Sequence, residues 1–182
     1  IRNYLQLINK IFISYNSKGE NRIGYFKTEL INAISPEYFD DKNKILCINS
    51  LSSILKAVLP ENLSSEKIYK SLENLLKSLK NNDWLTNYLV WEINLINYLG
   101  FGFNIDNKNF SDKNYKKIYD IKLDNINYKI PGFLVFKNYS NPDNNDIYNG
   151  LNFSRTLMEN KFFIPNNINF PYSRKLLEKN FL

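Results

Sequence analysis

The chain contains no histidine and a single cysteine, Cys47. These absences remove the Ser-His and Cys-His nucleophile arrangements, a Cys/His zinc site and an internal disulfide. No paired-carboxylate motif supports a hydrolase. Asp120, Asp124, Asp143 and Asp146 lie in polar stretches, where short carboxylates serve turns. A metal-dependent nuclease would need such groups to converge from distant segments. What remains is the chemistry of cations and aromatic rings. Tyr15 and Tyr25 are interleaved with Lys10, Lys18, Arg22 and Lys27. A ring face can take a stacked base while nearby cations follow the phosphates. The same residues also suit a packed sheet with a solvated cationic face, and the residue types leave both readings open. Arginine is scarce, at Arg2, Arg22, Arg155 and Arg174, and its planar head suits bidentate phosphate contacts. Arg155, Arg174 and Lys175 could extend a basic track along the C-terminal helices. Alternatively, Arg174 pairs with a carboxylate or caps a helix end.

The net charge of +6 points toward a polyanionic partner. Its distribution is diffuse, with excesses of +1, +3 and +2 over residues 1–40, 41–80 and 81–182. Any basic patch must therefore be assembled by folding. A nucleotide-composition bias would raise Asn, Lys and Ile together and inflate lysine without reference to binding. No apolar run is long enough to span a bilayer, and no signal-peptide pattern opens the chain. The reading is a soluble, cytoplasmic protein of one domain, or of one domain plus a small appendage. The chain begins in strand-like sequence and its single methionine is Met158, so the natural start is expected to lie upstream.

Several elements must position these residues. The best specified runs from Asn82 to Phe103. Trp84, Tyr88, Trp91, Leu95 and Leu99 recur at helical steps and form one apolar face. Asn82 or Asp83 can cap its start, and Gly100 can end it in a left-handed conformation. The tryptophans therefore read as core rather than as stacking platforms. Glu92, beside that stripe, reads as a satisfied hydrogen-bond anchor rather than a general acid. Cys47 reads as a small core residue. Ile11, Ile13 and Tyr15 alternate along one strand, and Ile23 to Leu30 reads as the return strand, with Ile23 and Tyr25 facing one way and Phe26, Thr28 and Leu30 the other, so a hairpin is expected. Helices are expected from Asp41 or Asn43 to Leu59, from Ser64 or Ser65 to Leu79, from Asp146 to about Phe162, and from Pro171 onward. Residues 104–145 read as an irregular insert. It holds isolated aromatics, a weak strand at 119–123, a turn at Ile130–Phe133 and a polar loop around Pro142.

The order of elements and several strings resemble the RecO family, the bacterial recombination mediators of DNA repair. Trp84 through Phe103, with Tyr88, Trp91, Glu92, Leu95 and the Leu99-Gly100-Phe101-Gly102 exit, is similar to that family's central helix. Leu59-Pro60-Glu61, Ile130-Pro131-Gly132-Phe133-Leu134 and Ser173-Arg174-Lys175-Leu176-Leu177 resemble family segments in the same order. Residues 5–30 sit where the last strands of the family's N-terminal OB-fold would lie. The resemblance implies an α+β, mainly α chain. Residues 1–34 would be the C-terminal strands of an OB-fold, and residues 35–182 a helical bundle. It also implies that the first barrel strands are absent. Many family members carry a four-cysteine zinc module after the central helix. Residues 104–129 hold no cysteine, so neither metal nor cofactor is expected.

The implied function is non-catalytic. The family binds single- and double-stranded DNA, anneals strands, contacts the C-terminal tail of the single-strand DNA-binding protein SSB, and works with RecR to load RecA. A bacterial, cytoplasmic, nucleoid-associated location follows, with no membrane partner. The DNA-binding candidates are Lys10, Tyr15, Lys18, Arg22, Tyr25, Lys27, Arg155, Arg174 and Lys175, with Arg174 on the matched Ser-Arg pair. The rival reading is a helical protein-binding adaptor with no direct DNA contact.

Overall fold

A computed structural model of the chain describes residues 5–19, 22–61, 64–102, 110 and 112–181. Two antiparallel strands, β1 (Lys10–Asn16) and β2 (Tyr25–Asn32), form the first hairpin. A 3-10 turn at Ser35–Tyr38 leads into helix α1 (Lys42–Val58). The Asp41 carboxylate caps α1, accepting from the amides of Asn43 and Lys44 at 3.1 Å each. Helix α1 ends before Pro60, whose ring nitrogen has no hydrogen to continue the ladder. Helix α2 (Glu66–Ser78) and helix α3 (Trp84–Ile96) follow. Asp83 occupies the cap position of α3 but makes no side-chain capping bond. A π-turn at Asn97–Phe101 extends α3, and Gly100 stops it with φ at +87°, a conformation that costs other residues a Cβ clash.

Residues 112–145 are more ordered than their composition suggests. Strands β3 (Ile118–Leu123) and β4 (Ile126–Pro131) pair antiparallel around Asp124 and Asn125. Both turn residues have positive φ, +46° and +65°, the requirement of a two-residue type I′ hairpin. The expected turn at Ile130–Phe133 is therefore a strand end that enters the one-turn helix α4 (Gly132–Val135). The isolated aromatics converge. Phe110, Tyr115 and Tyr119 pack edge-on to Phe136, with ring centroids 5.6–6.2 Å apart, the geometry favoured by ring quadrupoles.

Helix α5 (Asn144–Met158) starts with a capping box. The Asp143 carboxylate accepts from the Asp146 amide at 2.9 Å, and Asp146 accepts from the Asp143 amide at 3.1 Å. These two carboxylates also share Lys116, at 2.8 and 2.6 Å. A π-turn at Glu159–Phe163 extends α5, and helix α6 (Tyr172–Lys179) follows Pro171. Helix α1 packs against α6, α5 against β4 and α3, and α2 against α3. Tyr88, Trp91 and Leu95 of the tryptophan stripe are buried in this core, while Trp84 and Leu99 are half-buried at its edge. Among the described residues, no helix is long and apolar enough to cross a membrane.

Gly132 is the tightest joint in the fold. A Cβ there would lie 2.2 Å from the Asn114 carbonyl oxygen and 3.1 Å from those of Tyr115 and Lys117. Backbone cannot rotate away as a side chain can. Gly132→Ala is expected to cost about 3 kcal/mol, the upper range for overpacking, measured by urea denaturation against the parent chain.

Candidate nucleic-acid interface

Strand alternation decides which hairpin residues can act together. Directly opposed residues share a sheet face. Ile13 opposes Thr28 and Tyr15 opposes Phe26, while Ser14 opposes Lys27 and Asn16 opposes Tyr25. Tyr15 and Tyr25 are thus on opposite faces and cannot form one stacking platform. The Tyr15 ring packs on Phe26 with centroids 5.2 Å apart, and its hydroxyl accepts from the Gly24 amide at 3.1 Å. On the other face, the Lys18 ammonium stands over the Tyr25 ring, 5.7 Å from its centroid. Lys27 lies on that same face, loosely paired with Glu29 at 3.4 Å. Arg22 is exposed near the start of β2. Lys10 is turned away toward α2, where it bonds Glu73 at 2.6 Å. That hydrogen bond, helped by Tyr69, raises the Lys10 pKa.

The hairpin's apolar side chains are exposed on both faces. Phe12 and Ile13 are each 53% accessible, and Phe26 is 67% accessible. A two-stranded ribbon of this kind is marginal in isolation. Its described attachments to the helical body are few. The Asn9 side-chain oxygen accepts from the amides of Ile34 and Ser35, the Ser35 hydroxyl donates to the Leu7 carbonyl, and Lys10 reaches Glu73.

The C-terminal candidates behave differently. Arg174 is fully buried, so it is not on a surface track. Its guanidinium donates through Nε to Glu92 Oε1 at 2.6 Å and through Nη2 to Glu92 Oε2 at 3.0 Å. Nη2 also reaches the Leu151 carbonyl at 2.9 Å, and Nη1 reaches Glu178 at 3.3 Å. The reason is physical: a buried carboxylate needs a counter-charge and donors for both oxygens. Glu92, itself fully buried, also accepts from Tyr88 Oη at 2.5 Å and Ser154 Oγ at 2.6 Å. Because the Tyr88 proton is committed to Glu92, the Ser50 hydroxyl at 2.7 Å must be the donor to Tyr88. One carboxylate thereby joins α1, α3, α5 and α6.

Burial acts to lower the Arg174 pKa, but the charge of Glu92, with Tyr88 and Glu178, outweighs it and the value rises. Burial pushes the Tyr88 phenol and the Cys47 thiol well up, with Glu92 adding to both. These groups stay neutral around a closed ion pair, an arrangement suited to holding helices rather than to proton transfer.

Arg155 is half-buried and committed. Its Nε donates to Glu178 at 3.0 Å, Nη1 to Glu159 at 3.1 Å and Nη2 to Asn152 at 2.7 Å. Lys175 is exposed, and among the described residues its head has no partner. The sequence reading missed Glu178 of α6, which pairs with Arg174 one turn away and ties Arg155 of α5 to α6. Its i, i+4 spacing from Arg174 was the available signal.

An Arg174→Ala substitution would leave Glu92 buried without its counter-charge. The expected loss is about 3–5 kcal/mol of stability in urea denaturation. Lys175→Ala should stay within about 0.5 kcal/mol of the parent chain. Equal stability of the two variants would contradict the buried-pair account.

The family model described as Recombination protein O C terminal matches residues 40–148, more than half of the chain. The DNA repair protein RecO of Wolbachia pipientis subsp. Culex pipiens is 33% identical over 102 residues, covering 55% of this chain and 42% of that protein. The DNA repair protein RecO of Ehrlichia chaffeensis is 34% identical over 103 residues, covering 56% and 42%. That of Anaplasma marginale (strain Florida) is 28% identical over 102 residues, covering 56% and 43%. The chain thus spans less than half the length of these curated relatives. No solved structure matches it. The matched segment holds α1, α2, α3 and the β3–β4 hairpin, including Glu92 at its centre, and on that match the chain belongs to the RecO C-terminal family.

Proposed function

We propose that the chain acts in DNA repair as a non-catalytic, DNA-binding mediator of recombination. It brings complementary strands together and assists RecA loading on single strands coated with SSB. The family match carries this reading. The hairpin would supply the C-terminal strands of an OB-fold, a fold that binds single strands through ring stacking and cationic tracking of phosphates. Tyr25, Lys18 and Lys27 are the group on one hairpin face with that chemistry. Arg22 and Lys175 would add phosphate contacts from exposed positions, whereas Lys10 serves first as a tether to α2.

The partners on this reading are DNA, the SSB tail and RecR, with RecA reached indirectly. An acidic tail with an apolar end needs an apolar hollow with cations at its rim. A hollow of about 370 Å³ between the hairpin and α2 has that character. Ile34, Leu72 and Leu76 line it, with Lys77 at its edge. Its two carboxylates, Glu37 and Glu73, are already paired with Lys80 and Lys10. The adaptor reading shares this hollow but needs no DNA, so salt-linked DNA affinity separates the two.

Fluorescence-anisotropy titration of a labelled single strand over a range of salt tests the proposal. Affinity should fall steeply with salt, and Lys18→Ala with Lys27→Ala should flatten the log–log slope by about 1.4, at roughly 0.7 per lost single-strand contact. A folded chain that does not bind at low salt would favour the adaptor.

A further inference from the structure

A second groove lies between α2 and α3, away from the hairpin, with a volume of about 500 Å³. Lys67, Lys70 and Asn74 border it from α2, at steps of three and four that place them on one helix face. Asn87 and Asn94 border it from α3, flanking Trp91 at steps of four and three. Tyr98, 44% accessible, closes one end. Among the described residues, no carboxylate lines the groove. Lys70 is held by Glu66 at 2.6 Å, but both are well exposed, and such a pair is weak enough to exchange for a phosphate.

Two features set this groove apart from an ordinary solvated helix face. Among the described residues, none of the Asn74, Asn87 and Asn94 side-chain amides has a protein partner, and neither does the Lys67 ammonium. Trp91 also lines the groove. Trp91 is 4% accessible, and its indole N–H is buried without an acceptor among the described residues. Buried donors are rarely left unpaired in native proteins. An amide offers both donors and acceptors, the complement of an unpaired base edge. An exposed ring takes a stacked base whatever its sequence, and lysines at the rim follow phosphates.

We infer that the α2–α3 groove is a second nucleic-acid site, taking a short stretch of single strand. Phosphates lie on Lys67 and Lys70, base edges meet the asparagine amides, and one base stacks on Tyr98. The inference rests on the reading that this chain binds DNA. It adds a site on the helical body, separate from the hairpin, so that one chain could hold two strands at once. The partner is single-stranded, because in a duplex the Watson–Crick edges are paired and the ring faces are stacked on their neighbours, which leaves no face for Tyr98.

The test uses the full chain, labelled oligo(dT), and a Lys67→Gln/Lys70→Gln variant, which removes both charges and keeps polar side chains at the rim. The variant should bind about tenfold more weakly, with a salt slope flatter by about 1.4. Tyr98→Ala should lose about tenfold with the slope unchanged, since stacking carries no counterion release. In a Trp84→Phe background, oligo(dT) should quench the remaining Trp91 emission, and the double lysine variant should need about tenfold more oligo for the same quench. Unchanged affinity and slope in the lysine variant, while Lys18→Ala/Lys27→Ala weakens binding, overturns this site and leaves the DNA-binding reading standing. A parent chain that binds no oligo(dT) overturns both. Quenching of Trp91 by a polyglutamate peptide but not by oligo(dT) overturns the nucleic-acid assignment in favour of an acidic protein partner.

Discussion

The helical body depends on satisfying one carboxylate. Glu92 has no solvent access, and an unpaired buried charge is among the costliest features a fold can contain. Both of its oxygens are filled by groups from distant parts of the chain, with Ser154 62 residues away and Arg174 82 residues away. Tyr88 relays the network to Ser50 on α1. Helices α3, α5 and α6 must therefore be in register before the carboxylate is fully satisfied, and α1 joins through Tyr88. A buried ion pair of this kind adds little net stability over a well-packed apolar substitute. Its effect is selective: packings that fail to bring Arg174 to Glu92 leave two buried charges exposed to apolar surroundings, and they are penalised heavily.

That constraint also divides labour among the cations. Arg174 and Arg155 are occupied inside the bundle by Glu92, Glu178 and Glu159. On the proposed DNA-binding reading, contact with a polyanion would fall to Arg22 and to lysines of the hairpin, of α6 at Lys175, and of α2. The excess of positive charge in residues 41–80 finds a physical place there. Lys67 and Lys70 border one side of α2, and Lys77 borders the hollow on the other. Helix α2 thus presents cations to both of its flanking grooves while Ile68 and Leu75 are buried beneath it.

Much of this was legible in the sequence because periodicity and capping are local. The tryptophan stripe marked α3, Asp41 or Asn43 was read as the start of α1 and Asp41 is the cap, and Gly100 marked the end of the central helix. Glu92 could be read as an anchor because no catalytic partner accompanied it. Its partner could not be identified, since pairing across 82 residues leaves no local trace. Arg174 therefore stayed divided between a phosphate contact and a carboxylate pair, and burial decides for the pair. The β3–β4 hairpin was obscured by polar composition, although Asp124-Asn125 between Leu123 and Ile126 carries the chemistry of a two-residue turn. The split of Tyr15 and Tyr25 onto opposite faces depends on register, which strand patterns alone do not fix across a long turn.

Native-state hydrogen exchange, on the parent chain and on Glu92→Gln, tests the central role of this carboxylate most directly. If Glu92 holds the body together, amides of α1, α3, α5 and α6 share one opening free energy in the parent and lose protection together in the variant. The β1–β2 hairpin, tied by few bonds, exchanges at its own faster rate in both. Loss of protection confined to α6, or a variant as protected as the parent, would contradict the account.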